Sequence, residues 1–567
     1  MRAVADLRKY PVAGQDSYGP ELTCPNPRGW YHSVANVVNT PAGLVAVYRL
    51  SDSHTAVTTH IMVAFSRDRG RSWFGHRSIS SRNVWEHNAV WIAPQLSRLN
   101  DGRLVVICDL GRRLPGEDWP RLAQWQRPER GMANYLFWSD DDGLNWSRPV
   151  KCDEVGGEPG YIVELHDGTL VYTRTESVES DSFENPPPPE HRIYCRNVAV
   201  FSGDRGQTWD RTAIVSDDPY HGDAEVGIVE LEPGHLLAVT RIGYGNGDYG
   251  QPSRLIHSFD AGRTWEKPQL APFYGQRTAV HRLRSGKLLV TYRNRWGTFA
   301  SYAFAWDPSE VLGFEPASFI WDESRCKLAR GELVLATDRG DENKVFFSLY
   351  PALTGEARVE MEAEVRLAGA TSEGCDLFAG CHLRLSAQGI RLVDGEEEAV
   401  AVQTGAGPAQ LEAGRIGRRS KLRRLDTSEW HRYRIVRADG EIVVFVDGRP
   451  LLRERAETYE NRLVRFGSDM PSESHWRSVR ATVENRHGHS IDWSWRAEEG
   501  AYPDQFRRDR TVLLDAAADS GYSNWDQMED GTIVVADYTN GAFYDAASRL
   551  GPQPHIRAYR ISEEELI

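Results

Sequence analysis

Cysteine is scarce in this sequence, with seven residues among 567, at positions 24, 108, 152, 195, 326, 375 and 381. The number is odd and the spacings match no metal-ligand pattern, unlike the cysteines of a disulfide-rich secreted scaffold. Cys375 and Cys381 are close in sequence and could pair, although nothing in the pattern requires it. We therefore expect reduced thiols and a cytoplasmic protein.

Long apolar runs and excess positive charge are also lacking. The first ten residues contain no apolar run long enough for a signal peptide, and no later stretch could cross a bilayer. The 67 Lys and Arg residues are outnumbered by 81 Asp and Glu residues, which gives a net charge of −14. Such a chain has no general field to attract nucleic acid or an anionic membrane, so we expect neither partner. An anionic ligand would need a local arginine cluster.

What the sequence does contain is a repeat. The pattern Ser-x-Asp-x-Gly-x-x-Trp occurs at residues 66–73, 139–146, 202–209 and 258–265, at spacings of 73, 63 and 56 residues. In a hairpin turn the Asp side chain can cap backbone N–H groups, the Gly takes a positive φ and the Trp covers the turn. A turn signature that returns in this way is typical of a propeller, whose small antiparallel sheets surround a channel.

This repeat resembles the Asp-box, or BNR repeat, of the sialidase (neuraminidase) superfamily. The resemblance implies an all-β fold with a six-bladed β-propeller. The repeat residues themselves shape turns, so we interpret them as scaffold and look elsewhere for the chemistry.

Six segments have the form expected for the first two strands of a blade: an apolar run, a Gly turn and a second apolar run. They span residues 31–50, 91–110, 161–175, 225–242, 277–294 and 522–539. Five lie before residue 310 and the sixth lies near the C-terminus. The ring is therefore predicted to close across a long interruption, with help from strands near the N-terminus.

The interruption has a strand pattern of its own. Residues 357–367 alternate between polar and apolar side chains, which predicts a two-faced strand. Residues 430–436 and 442–448 resemble the strand pair of concanavalin-like (laminin-G-type) sandwiches. We therefore predict a propeller from 1–312 and 501–567, with a concanavalin-like sandwich at 313–500 inserted between blades five and six. The sandwich is a possible oligomerisation module.

The Gly turns locate candidate functional residues. Glu225, Arg277 and Tyr522 each lie nine residues before the turn Gly of their segment, so three chemically capable side chains share one level of the ring. A second group occupies the ends of the second strands, where four arginines would suit a carboxylate. This second group is Arg49, Asp109, Arg241, Arg293 and Tyr538, with Arg174 close to the same level.

The superfamily resemblance assigns roles to these residues. Ser520-Gly521-Tyr522-Ser523 is similar to the setting of the sialidase nucleophile, which implies that Tyr522 attacks the sugar. Glu225 and Arg241, sixteen residues apart, look like the Glu that assists this Tyr and an Arg of the substrate-binding triad. Arg293, or its neighbour Arg295, is similar in place to another triad Arg, and Arg277 would supplement it.

Two departures from the superfamily pattern concern substrate and proton transfer. His32 stands where the first triad Arg is expected, so it is a candidate substrate ligand or acid, and equally a structural residue. The acid/base Asp is expected shortly after Arg49, where Asp52 is the candidate, with His54, His60 and Asp109 as rivals.

The predicted function is that of a retaining exo-glycosidase of sialidase type acting on a terminal acidic sugar, without metal or cofactor. A neutral phenol suits this reaction, because the sugar carboxylate would repel a carboxylate nucleophile. The first alternative is a hydrolase or lyase for a uronate- or rhamnose-containing oligosaccharide. The second is a carbohydrate-binding protein without catalysis.

Overall fold

The computed structural model describes residues 7–20, 22–113, 132–155, 157–177, 195–218, 223–241, 251–349, 357–368, 373–393, 420–459, 463–484, 490–517, 519–541 and 553–566. Within these residues the chain is almost entirely β, which confirms the predicted fold class. The α-helices are α1 (Val84–His87) and α2 (Gln505–Arg510). Short 3₁₀ turns lie at Gln15–Ser17, Glu323–Arg325, Asp341–Asn343, Ala456–Thr458, Ala497–Glu499 and Glu563–Leu566. No described helix has the length and apolar character needed to traverse a bilayer.

A first strand, β1 (Arg8–Ala13), precedes a series of antiparallel sheets. Sheet one contains β2 (Tyr31–Thr40), β3 (Gly43–Ser51), β4 (Thr58–Ser66) and β5 (Phe74–Asn83). Sheet two contains β6 (Ala89–Trp91), β7 (Gln95–Arg98), β8 (Leu104–Arg112), β9 (Ala133–Ser139) and β10 (Val150–Asp153), with both β6 and β7 paired to β8. Sheet three contains β11 (Val163–Glu164), β12 (Leu170–Ser177), β13 (Cys195–Ser202) and β14 (Arg211–Ser216).

Two further sheets continue this arrangement. Sheet four contains β15 (Gly227–Glu232), β16 (His235–Val239), β17 (Arg254–Ser258) and β18 (Gln269–Leu270). Sheet five begins with β19 (Gly275–Arg282), β20 (Leu288–Asn294) and β21 (Ala300–Trp306). The chain then leaves the ring before this sheet has its fourth strand.

The inserted part is built from two facing sheets around one apolar core. The first has the order β22-β25-β33-β27-β28-β29, and the second has the order β23-β24-β34-β26-β30-β31-β32, with β35 beside β34. The strands are β22 (Ala317–Ile320), β23 (Cys326–Ala329), β24 (Glu332–Thr337), β25 (Val345–Ser348), β26 (Arg358–Ala368), β27 (Cys375–Ala379), β28 (His382–Ser386), β29 (Gly389–Val393), β30 (His431–Ala438), β31 (Glu441–Val446), β32 (Arg449–Arg455), β33 (Val464–Ser468), β34 (Ser472–Glu484) and β35 (Ser490–Arg496).

The local predictions for the insert are confirmed. Strand β26 alternates between buried and partly exposed side chains, as a two-faced strand must. Strands β30 and β31 form the expected hairpin. Cys375 and Cys381 are both buried free thiols, as all seven cysteines are free. The concanavalin-like class, the domain limits, the oligomerisation role and the cytoplasmic location stay predictions.

The return of the chain corrects the position of the insertion. Strand β36 (Val512–Asp515) pairs with β21 and completes sheet five. Sheet six then forms from β37 (Ser520–Gln527), β38 (Ile533–Thr539) and β39 (His555–Ile561), with β1 as its outer strand. The sandwich is therefore inserted within the fifth sheet, before its last strand, and not between the fifth and sixth sheets.

The six sheets form a closed ring, because hydrogen bonds join each sheet to the next and the sixth to the first. The apolar sequence of the inner strands follows from this packing: both faces of a blade are covered, so β8 is buried from Leu104 to Gly111. The joining bonds are Asn36 Nδ2 to Pro94 O (2.9 Å), Asn100 N to Glu164 Oε2 (2.7 Å), His166 N to Glu230 Oε2 (2.6 Å), Thr278 Oγ1 to Val239 O (3.0 Å), Arg284 N to Gln527 Oε1 (2.8 Å) and Asn39 N to Asp526 Oδ2 (2.6 Å).

The repeated motif forms the turn before the last strand of sheets one to four. In the first copy Asp68 Oδ1 accepts from the backbone N–H of Ser72 at 2.8 Å, and Ser66 Oγ accepts from that of Gly70 at 2.8 Å. The indole of Trp73 donates to the Gly70 carbonyl at 3.2 Å. The hydrogen bonds from Ser72, Ser66 and the turn backbone lower the pKa of Asp68 to about 2. These residues are occupied by the turn, which supports their interpretation as scaffold.

Candidate active site

Five sheets have a residue with an unusual backbone conformation within, or a few residues before, their first strand. Non-glycine residues rarely take a positive φ, which costs about 1–3 kcal/mol and is concentrated at functional sites. The five residues are Val34 (53°), Glu158 (45°), Glu225 (46°), Arg277 (42°) and Tyr522 (52°). Register shifts next to Val34, Arg277 and Tyr522 mark β-bulges, which re-aim side chains. We call this end of the ring, opposite the Gly turns, the channel mouth.

Glu225 lies between two arginines at the channel mouth. Its Oε2 is 2.9 Å from Arg241 Nη1, and its Oε1 is 3.7 Å from Arg277 Nε. All three side chains are buried. Burial opposes ionisation of Glu225, but the two guanidinium groups and the Tyr522 hydroxyl outweigh it and hold the pKa of the carboxyl below its ordinary value. Glu225 is therefore a carboxylate at neutral pH.

Tyr522 faces the same carboxylate and the same arginines. Its hydroxyl donates to the amide oxygen of Gln276 at 2.5 Å, in the amide orientation in which that oxygen also accepts from Arg241 Nη2 at 3.1 Å. The guanidinium carbon of Arg277 lies 5.4 Å from the centre of the Tyr522 ring. Burial and the charge of Glu225 raise the pKa of the Tyr522 hydroxyl, although Arg241 and Arg277 oppose the shift. Tyr522 is therefore a neutral phenol beside an ionised carboxylate.

Arg293 extends the cluster into sheet six. Its Nη1 donates to the Tyr538 hydroxyl at 3.2 Å, and its Nη2 is 3.9 Å from Asp519 Oδ1. The hydroxyls of Tyr538 and Tyr31 donate to the Asp519 carboxylate at 3.1 and 2.9 Å. The rings of Tyr538 and Tyr522 are neighbours, with centroids 6.1 Å apart. Arg293 is thus held beside the Tyr522 cluster. Sequence reasoning missed Asp519, for which the only signal is its place three residues before Tyr522.

Two of the predicted second-strand residues, Asp109 and Arg49, bind backbone groups near the channel mouth. Asp109 accepts from the backbone N–H of Ala93 at 2.8 Å and from that of Glu158 at 3.0 Å, so both of its oxygens hold strand starts in place. Burial raises the pKa of Asp109. Arg49 Nη2 donates to the His54 carbonyl at 3.3 Å, and Arg49 Nε has no hydrogen-bond partner among the described residues.

Arg174, at the predicted level in sheet three, does not join the channel-mouth cluster. Its Nη1 donates to Asp153 Oδ2 at 2.5 Å, and it also forms an ion pair with Glu176. Both carboxylates are buried, so the guanidinium charge is matched by Glu176 of its own sheet and by Asp153 of sheet two. Arg174 is therefore a structural residue of sheet three.

The surroundings of Asp52 argue against its predicted acid/base role. Its Oδ1 accepts from the backbone N–H groups of Val57 at 2.9 Å and Thr58 at 3.3 Å, so the carboxylate shapes its own turn. His60 lies 3.3 Å from the Ser78 hydroxyl. Of the rival histidines, His54 lies beside the Asp519 group, since its ring packs edge-on against Tyr31, with centroids 5.6 Å apart.

His32 is a structural histidine, which removes the support for its predicted role as a substrate ligand. The ring is fully buried. Its Nδ1 lies 2.7 Å from the Pro554 carbonyl and its Nε2 lies 2.8 Å from the Tyr18 hydroxyl, so both nitrogens are occupied. Burial lowers the pKa of His32 to about 4, and the ring is therefore neutral at pH 7.

Glu158 is the chief residue that sequence reasoning missed. It lies ten residues before Gly168, one more than the nine that locate Glu225, Arg277 and Tyr522. Burial and the Glu225 charge raise the pKa of Glu158 to about 7, against the opposing charges of Arg241 and Arg277. The mouth thus combines two carboxyl groups of different proton affinity, a phenol and a set of guanidinium groups. Among the described residues, no group of three or more His, Cys, Asp and Glu side chains could hold a metal ion.

Comparison with known proteins gave one family match. Residues 42–357 match the BNR repeat-like domain. No curated protein matches the chain. Similar solved structures include a Dyadobacter fermentans protein of unknown function (16% identity, 61% of this chain and 96% of that chain, TM-score 0.41) and Trypanosoma rangeli sialidase (12%, 85% and 96%, 0.38). A third is xylan β-1,4-xylosidase from Bacillus halodurans (12%, 80% and 98%, 0.33).

Proposed function

The chain belongs to the BNR repeat-like domain family, whose domain matches more than half of it, and from this premise we propose that the channel mouth is the active site of a retaining exo-glycosidase of sialidase type. Family membership confirms the resemblance of this chain to BNR-repeat proteins. The proposed substrate is a glycan or glycoside that ends in an acidic sugar, sialic acid or a relative. One observation carries the proposal: Tyr522, Glu225, Arg241 and Arg277 form a single contact cluster.

Tyr522 is the proposed nucleophile. A sugar whose anomeric carbon bears a carboxylate repels an anionic attacker, whereas a phenol reaches that carbon as a neutral group. As the bond to the anomeric carbon forms, the hydroxyl turns its proton from Gln276 to Glu225, which is ionised and accepts it. Gln276 and Arg241 hold the phenol in place through the amide oxygen that accepts from both.

The arginines are the proposed carboxylate site. Arg277 donates to the Pro159 carbonyl through Nη1 at 3.0 Å, while its buried Nη2 has no hydrogen-bond partner among the described residues. A buried donor of this kind is stabilised by an anion that accepts from it. Arg293 and Arg241 approach the same space from neighbouring sheets, and the three charges also favour the charge distribution of an oxocarbenium-like transition state.

The test is Tyr522→Phe, assayed with an aryl ketoside of sialic acid. Loss of the nucleophile is expected to reduce kcat on the order of 10³-fold or more, as for other residues that act as a catalytic unit. Tyr302→Phe is the matched control, because Tyr302 is buried in sheet five and its hydroxyl has no hydrogen-bond partner among the described residues. Unchanged turnover by Tyr522→Phe would refute the nucleophile role.

The second candidate is a hydrolase or lyase acting on a uronate- or rhamnose-containing oligosaccharide. The surroundings of His32 favour this second candidate. His32 occupies the expected position of a triad Arg, and because both its nitrogens are engaged by protein it does not replace that Arg as a ligand of the sialic acid carboxylate. Products separate the two chemistries: an unsaturated uronate absorbs in the ultraviolet, whereas hydrolysis releases a reducing sugar without that absorbance. Binding without any turnover would favour the third candidate, a carbohydrate-binding protein.

A further inference from the structure

Glu158 has a fixed backbone and a carboxyl oxygen that is available to bind a ligand. Its backbone takes φ of 45°, and its N–H is fixed by Asp109 at 3.0 Å. The Oε2 atom of its half-buried side chain is enclosed, yet it makes no hydrogen bond to any described residue. A buried carboxyl oxygen without a partner is costly, so it is expected either to carry a proton or to meet a polar ligand.

Glu158 interacts electrostatically with groups from four other sheets. They are Asp109 of sheet two, Arg241 and Glu225 at sheet four, Arg277 of sheet five and Tyr522 of sheet six, with the buried Cys195 thiol in sheet three. Glu225 is ionised by its contacts with Arg241 and Arg277, and burial together with the Glu225 charge raises the pKa of Glu158. Two carboxyl groups whose environments push their pKa values apart are the usual arrangement of a proton donor beside an anionic partner.

The other candidates for proton transfer are less suited to the task. Asp52 accepts two backbone hydrogen bonds from its own turn. Both oxygens of Asp109 accept backbone hydrogen bonds. Among these three carboxyl groups, Glu158 combines an oxygen that makes no hydrogen bond to a described residue with electrostatic interaction with Tyr522 and Glu225.

We propose that Glu158 is the general acid/base of the channel mouth, donating its proton to the glycosidic oxygen and later activating the water. The assignment rests on the proposed glycosidase function. In the first step the C–O bond to the leaving group breaks, its electron pair stays on the oxygen, and that oxygen takes the Glu158 proton while Tyr522 bonds to the anomeric carbon. In the second step the Glu158 carboxylate removes a proton from water, whose oxygen attacks the anomeric carbon. The bond to Tyr522 breaks and the phenol recovers its proton from Glu225, so every group returns to its initial state.

The leaving group provides the decisive test, because a good leaving group needs no proton. Glu158→Gln is compared with the wild type on the methyl ketoside and the 4-nitrophenyl ketoside of sialic acid. We expect kcat/KM to fall about 10²- to 10⁴-fold for the methyl ketoside, the usual contribution of general acid catalysis, and less than about tenfold for the aryl ketoside. The alkaline limb of the wild-type pH profile should disappear in the variant. Equal losses on both substrates would overturn the assignment and leave Glu158 as a residue that positions Glu225.

A control variant and a measurement on the unliganded protein distinguish failure of the Glu158 assignment from failure of the proposed glycosidase function. Glu164→Gln makes the same change in the same sheet, at the opposite end, where Glu164 accepts from Asn100, and it should leave both rates unchanged. Carboxyl ¹³C NMR of the unliganded protein should show a group titrating near pH 7 in the wild type and not in Glu158→Gln. Absence of that group overturns the assignment. If the group is present but the wild type cleaves neither ketoside, the sialidase reaction is refuted and the proton-donor assignment is overturned for these substrates.

Discussion

The turn glycines of the repeat make contact between blades, and Gly262→Ala measures that contact. Gly262 has φ of 77°, and a Cβ atom there would lie 2.7 Å from Cζ of Phe201 in the preceding sheet and 3.0 Å from Cδ1 of Leu236. The left-handed conformation costs an alanine about 1–2 kcal/mol, and overpacking of a buried site costs about 1–3 kcal/mol. We therefore expect a loss of about 2–5 kcal/mol in the free energy of unfolding.

Gly286→Ala isolates the two contributions. Gly286 also has a positive φ, 91°, but a Cβ atom there would have no described atom within 4 Å. Only the conformational cost of about 1–2 kcal/mol should remain, so the difference between the two variants reports packing between sheets. Urea denaturation followed by tryptophan fluorescence gives both values, and Phe201→Leu in the Gly262→Ala background should recover part of the loss. Equal destabilisation by the two alanines would refute the reasoning.

Two further predictions concern charge. Burial and the neighbouring Asp515 raise the pKa of Asp537 to about 8. The native state therefore loses stability as pH rises from about 4, the pKa of an Asp in the unfolded chain, to about 8. Asp537→Asn should raise Tm at pH 8 but leave it unchanged at pH 4, and equal shifts at both pH values would contradict this. Arg277→Gln should weaken inhibition by free sialic acid about 10- to 100-fold, the usual value of a hydrogen bond to a charged group, with a smaller effect on the corresponding amide; equal effects on acid and amide would exclude a carboxylate contact.

The hairpins were predictable because their signal is local. A glycine turn between two apolar runs fixes the level of each inner strand, and this signal alone placed Glu225, Arg277 and Tyr522 at one end of the ring. The same measure failed for Glu158, because strand β11 is only two residues long and the residue lies ten positions before its glycine.

Hydrogen bonds and strand pairings between distant segments could not be predicted from the sequence. His32 is satisfied by Tyr18 and Pro554, which approach from both ends of the chain, and no local pattern shows this. The pairing of β36 with β21 is equally hidden, because a four-residue apolar strand can belong to either adjacent sheet. The sequence therefore predicted which types of side chain lie at the channel mouth, but not which of these side chains are already engaged by other parts of the protein.

The pairing of β1 with β39 has a consequence for biosynthesis. Residues 8–13 are synthesised well before their partner at 555–561, because nearly the whole described chain lies between the two strands. Sheet six, which carries Tyr522, therefore remains incomplete until β39 has been translated, whereas sheets one to four can assemble as they emerge. A truncated product that lacks β39 would leave β1 and one edge of β38 unpaired, and such exposed edges favour aggregation.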